Sequence, residues 1–148
     1  MLSLADLRSA GFTKTGAFSP SANSVDLSGH FPDDPGLYLF VVSRKVMYVG
    51  KTERSLRRRL RAYETGLRTQ RHRRPVHTGI LETVGRGENV EIYTLVIAPE
   101  HQFFQRKGLP VAYLIGLEAG LIEYLDQGSW NPSSAAIRAK RARLLRNT

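Results

Sequence analysis

The chain has 148 residues, 22 Lys and Arg against 13 Asp and Glu, a formal charge of +9, and no cysteine. That length favours one domain with a real core, and the 41% hydrophobic fraction, with six Phe, six Tyr and one Trp, excludes a chain disordered throughout. The absent thiols exclude disulfides, thiol catalysis and Cys-ligated zinc, and no apolar run approaches the ~18 residues a membrane span needs.

The opening MLSLADLRSAGF predicts a short helix with Ser3 as N-cap, Asp6 in its first turn and Gly11 as its stop. Asp6 and Arg8 interrupt any apolar core there, so the segment does not read as a signal peptide and a cytoplasmic protein is expected. Thr13 to Pro35 is rich in Ser, Gly, Pro and Asp and reads as loop. GLYLFVV, Gly36–Val42, and Val46–Val49 read as two strands joined by a tight hairpin. A turn centred on Ser43 sets Tyr38 opposite Tyr48. Ser55 caps a helix whose apolar stripe is Leu56, Leu60, Tyr63 and Leu67, with Gly66 as a candidate end. A short helix is expected over 73–84 and a strand over Val90–Ile97. Ala98–Pro110 reads as loop, and Pro110 as the start of a long helix reaching Leu125. The basic stretch from Pro132 onward is expected to be helical or to order on a partner.

Charge is concentrated. Nine arginines lie between Arg54 and Arg74 against one acid, Glu64, and five basic residues lie between Arg138 and Arg146 with no acid after Asp126. Such blocks point to nucleic acid, held through its phosphates. Around the helical wheel, Leu114, Ile115, Leu121, Ile122 and Leu125 all fall within about 60° of Glu118, so this carboxylate interrupts an apolar stripe. A chain keeps such a group when it meets a buried cation or a metal; both readings stand on periodicity, while Glu123 lies on the solvent side. In the run 57–59, Arg58 points to solvent, and Arg59 shares an edge with Tyr63. The four His show no ligand spacing. Phe103 and Phe104 beside Arg106 and Lys107 suit either nucleic-acid contact or packing and dimer formation.

The order GLY at Gly36–Tyr38, YVG at Tyr48–Gly50, GKTERSLRRRLRAY and then LEAGLIEYLDQGSWN, Leu117–Asn131, resembles the GIY-YIG nuclease family. The resemblance spans Gly36 to Asn131, leaving 1–35 as an N-terminal extension and 132–148 as a basic C-terminal tail. It implies an α/β fold of the α+β type, a three-stranded antiparallel sheet flanked by helices. It also implies a DNA endonuclease using one divalent cation, Mg2+ or Mn2+, on Glu118, with Tyr38 and Tyr48 supplying the general base and Arg59 on the scissile phosphate. Which tyrosine is the base stays open. Lys51, Arg57, Arg58, Arg61 and Asn131 are the expected DNA contacts. Arg58 is the fallback for Arg59, because the spacing from the second tyrosine is one residue longer than in many members. Sequence or structure specificity, in restriction, repair or mobile-element biology, would come from 1–35, the 98–109 loop, the tail, a second copy or an accessory protein. The alternative is a non-catalytic nucleic-acid-binding module on the same fold.

Overall fold

A computed structural model describes residues 2–22, 24–69, 74–125, 130–132 and 142–146. In chain order these form α1 (Leu4–Ser9), β1 (Thr13–Ser21), β2 (Ser24–Gly29), β3 (Gly36–Val42), β4 (Lys45–Thr52), α2 (Leu56–Thr69), α3 (Pro75–Gly85), β5 (Val90–Val96), a 3-10 turn at Pro99–His101, β6 (Phe103–Arg106), β7 (Leu109–Ala112) and α4 (Tyr113–Tyr124). Residues 142–146 are helical; the rest of the basic tail from 133, and His72, lie outside the described residues. No helix among the described residues is long and apolar enough to cross a membrane.

The main sheet has five antiparallel strands in the order β2-β1-β5-β3-β4, two more than the three expected. The added pair is the Thr13–Gly29 segment read as loop from its Ser, Gly and Pro. Composition misled because the strand signal there is carried by few residues: buried Phe18 stands opposite buried Leu27 and also pairs with Val90. Pro20 is tolerated since pairing with β5 stops at Phe18, so beyond that point β1 is bonded on one side only.

β3 is central and buried on both faces, which explains its unbroken apolar run. Tyr38 and Phe40 join Phe18, Ile92, Leu56, Leu60 and Ile80 in one core beneath α2 and α3. Leu37, Leu39 and Val41 join Leu7, Val49, Tyr93, Leu114 and Leu121 in the other, beneath α1 and α4. Trp130 closes the first core over Gly79 of α3, where an added Cβ would come within 2.1 Å of the indole. α1 has the expected capping box between Ser3 and Asp6.

Two boundaries differ from expectation. Residues 98–110 are not a bare loop, since β6 and β7 form a separate two-stranded ribbon. Pro110 lies in β7 opposite Gln105, and α4 starts at Tyr113. A proline opens a helix well, but it also fits a two-stranded ribbon, where no second neighbour needs its missing N–H. Gly66 does not end α2; it is a buried member of the helix.

α2 is set by its first turn. The Ser55 hydroxyl accepts from the Arg58 N–H at 3.2 Å and donates to the Asp33 carboxylate, tying the helix start to the segment before β3. That bond holds the Asp33 carboxyl below the usual carboxylate range. Replacing Ser55 by Ala removes the cap and is expected to lower the unfolding free energy by about 1–2 kcal/mol, measured as a lower urea midpoint at unchanged slope.

Candidate active site

The hairpin β3–β4 turns at Ser43 and Arg44, both at positive φ (49° and 68°), as a two-residue hairpin turn requires. From that turn an unbroken ladder would pair Leu39 with Tyr48. The actual register pairs Val41 with Val46 but Phe40 with Tyr48, leaving Met47 as the extra residue of a β-bulge. One residue of slip moves a side chain to the other face. The bulge therefore carries Tyr48 to the face of Tyr38 and Phe40, beneath α2. This corrects the expected pairing: Tyr38 faces Gly50, and Tyr48 lies diagonal to it, ring centroids 6.1 Å apart. Gly50 is needed because the Tyr38 ring fills its side-chain position; an added Cβ would lie 2.2 Å from Cζ.

The tyrosines differ. Tyr38 is 1% exposed, and burial pushes its hydroxyl well above the ordinary phenol range. Its hydroxyl meets that of Tyr63 at 2.9 Å. Tyr63, from the α2 stripe, is likewise raised by burial. Either hydroxyl of the Tyr38–Tyr63 pair can donate to the other. Tyr48 is half-buried, stacked on Phe40 at 5.6 Å.

Arg59 is exposed, and its charge reaches both Tyr38 and Glu118. With Ala62, Tyr63, Arg74 and His77 it lines a cleft of about 330 Å³ between α2 and α3. Ala62, Arg74 and His77 are the cleft residues that sequence reasoning did not single out; Tyr63 was read both in the α2 stripe and on the edge it shares with Arg59. His77 is buried, its ring 5.2 Å from that of Tyr63.

Glu118 approaches from the other face of the sheet. It is half-buried on α4, one turn from buried Leu114 and Leu121. Desolvation raises its carboxyl above the usual range, and the charges of Lys51 and Arg59 partly oppose this. Among the described residues no ion pair forms at it. No group of three or more His, Asp and Glu able to hold a metal occurs among the described residues. A single carboxylate, an oxygen donor, suits a divalent cation that keeps most of its waters, and not a structural zinc site.

The other expected residues separate. Lys51, on β4, forms an ion pair with Glu53 at 3.7 Å and acts on Glu118. Arg57 donates from Nε to the Phe31 carbonyl at 3.2 Å and pairs with Asp33 at 3.7 Å. Arg61 donates to the Gly29 carbonyl at 3.3 Å, pairs with Glu64 and sits 5.4 Å above the Phe31 ring. Both thus brace the segment before β3. Arg58 is exposed and forms no ion pair among the described residues. Asn131, expected among the DNA contacts, has both ends of its amide on Val49. Oδ1 accepts from the Val49 N–H at 2.7 Å, and Nδ2 donates to its carbonyl at 3.0 Å. β4 is the sheet's edge strand, and this amide supplies the partner that its outer side lacks.

No protein-family profile matches the chain. Forty-three residues are 54% identical to UvrABC system protein C of Desulforudis audaxviator; the match covers 28% of this chain and only 7% of that protein. Among solved structures, bacteriophage T4 EndoII, a glutamate-to-alanine mutant, superposes with a TM-score of 0.64 at 19% identity, over 88% of this chain and all of the other. Restriction endonuclease HPY188I in complex with product DNA superposes at 0.49 and 14% identity, over 99% of this chain and 81% of that one.

Asn131→Ala leaves two backbone groups of buried Val49 without partners and should cost about 2 kcal/mol of stability. If the residue acts through β4, metal-free DNA affinity should stay within about threefold of wild type in a fluorescence anisotropy titration.

Proposed function

We propose that this chain is a GIY-YIG-type nuclease, a metal-dependent DNA endonuclease. The observation that carries the proposal is that the charges of Lys51 and Arg59 both act on half-buried Glu118, while that of Arg59 also acts on Tyr38, whose ring lies 6.1 Å from that of Tyr48 on the edge strand β4. Residue types that bind phosphate, take up a proton and hold a cation are together there, on a chain with a net charge of +9.

In this reading Glu118 is the one protein ligand of a divalent cation, Mg2+ with Mn2+ as substitute. When bound, the cation supplies Lewis acidity at the phosphoryl and leaving oxygens. Arg59 holds the scissile phosphate, where its planar fork suits two oxygens. Water attacks phosphorus, the bond to the leaving 3′-oxygen breaks, and Tyr48 takes the proton from the water. Tyr48 is preferred over Tyr38 because its side chain is accessible, whereas Tyr38 is sealed beneath the cleft. Arg58 and the other cations of α2 hold flanking phosphates, giving affinity that falls with salt and carries little sequence information.

Glu118→Gln tests the proposal. With Mg2+ or Mn2+, wild type should nick or linearise supercoiled or branched DNA, and the variant should be slower by at least 100-fold while binding DNA comparably. Folding raises this carboxyl's pKa, so the ionised form opposes the fold at pH above the ordinary carboxylate range. The neutral amide should therefore leave Tm at pH 7 equal or higher. Cutting retained in the variant would overturn the metal assignment. DNA binding without cutting of any substrate would favour the binding-module reading.

A further inference from the structure

The β6–β7 ribbon lies outside the site just described, and little in the fold accounts for it. All four residues of β6, and Leu109 and Pro110 of β7, are exposed. Phe103 is 61% exposed and Leu109 69%; Phe104, half-exposed, touches the ring of Tyr113 edge-on at 6.2 Å. A lone two-stranded hairpin is at best marginal in water, and one that leaves Phe and Leu in solvent needs a further reason. Its tip is well defined. Arg106 pairs with Leu109 across a two-residue turn, Lys107 and Gly108, with φ of 51° and 80°.

Its root is defined too. The Gln102 carbonyl accepts from the Tyr113 N–H at 2.7 Å, where α4 begins, and Gln102 Nε2 donates to the Glu53 carbonyl at 3.4 Å, just beyond β4. The ribbon thus springs from between the helix that carries Glu118 and the strand that carries Tyr48 and Lys51. Its charge is of one sign: Arg106 and Lys107 stand at the tip, and no acid occurs from Gln102 to Leu117.

We propose that this ribbon enters the major groove of duplex DNA beside the bond being cut and positions the duplex over the site. A two-stranded ribbon fits a groove about 12 Å wide. Four residues per strand reach about 13 Å, more than the groove's depth of about 8.5 Å. Arg106 suits a guanine edge, Lys107 a phosphate, and the exposed Phe103 and Leu109 the thymine methyls and sugar walls. The proposal rests on the nuclease reading only for where the bond is cut; duplex binding can be measured without it.

The test is duplex binding by anisotropy in EDTA over a range of salt, using the full chain. Arg106→Ala with Lys107→Asn removes both charges, and Asn keeps the positive φ of the turn. This variant should bind at least 10-fold more weakly, with a shallower salt dependence, at a Tm within about 2 °C of wild type. Phe103→Ala should weaken binding several-fold without altering the salt slope. Wild-type affinity and slope in both variants would overturn the proposal. So would sedimentation showing a dimer that Phe103→Ala dissociates at unchanged DNA affinity, since the ribbon would then be a self-association face. If the charge variant binds weakly as expected but wild type cuts nothing with Mg2+ or Mn2+, the ribbon assignment stands and the nuclease reading falls.

Discussion

The site depends on one extra residue in an edge strand. Met47 bulges out of the β3–β4 ladder, and everything after it in β4 changes face. Without the bulge, Tyr48 would point with Leu39 into the core beneath α4, while Tyr38 pointed toward α2. With it, Tyr38, Phe40 and Tyr48 share a face, and the hydroxyl of Tyr63, from α2, meets that of Tyr38 above them. The same shift sets Gly50 opposite Tyr38, where the missing side chain leaves room for the buried ring. The two tyrosine motifs are thus a single packing solution seen twice along the chain.

An edge strand is also what lets two helices on opposite faces serve one site. Arg59 descends from α2 on one side of the sheet, Glu118 from α4 on the other, and only at β4 is there no further strand between them. An exposed edge invites fraying or pairing with another chain. Here Asn131 occupies it at Val49, the residue between Tyr48 and Gly50, and Trp130 anchors that asparagine by packing over Gly79. Arg57 and Arg61, basic residues of the DNA-facing helix by sequence, turn back to brace the segment that holds Ser55 and the start of α2. The basic helix is therefore part scaffold and, in the nuclease reading, part phosphate surface, and charge alone does not distinguish the two.

Much of this was legible in the residues, and the exceptions have physical causes. The central hairpin and α2 were readable because their apolar pattern is strong: GLYLFVV is buried on both faces, and the Leu56, Leu60, Tyr63, Leu67 stripe is buried throughout; in α4 only Leu114 and Leu121 are buried, and Ile115 of the expected stripe is exposed. Glu118 was readable because a carboxylate in an apolar stripe conflicts with burial. β1 and β2 were not, since their Ser, Gly and Pro content follows from lying toward the sheet margin, where one face or one side makes few demands. The β6–β7 ribbon was not, because exposed strands carry no alternation. The bulge was not, because a skipped residue leaves no compositional mark; it becomes visible only when Val46 and Val49 must both reach the core beneath α4. Asn131 could be placed in the site by sequence, but its attachment to a backbone 82 positions away is a tertiary fact.

The most direct measurement is the rate of metal-dependent DNA cleavage by Tyr48→Phe and Tyr38→Phe against wild type at saturating Mg2+. Both variants keep their rings and hence the packing around Phe40 and Gly50. If the bulge exists to present Tyr48 as the proton acceptor, Tyr48→Phe should lose at least 100-fold in rate, while Tyr38→Phe, which loses only a buried bond to Tyr63, should lose about 10-fold or less. A Tyr48→Phe enzyme cutting at the wild-type rate, or a Tyr38→Phe enzyme as impaired as is expected for Tyr48→Phe, would contradict the account.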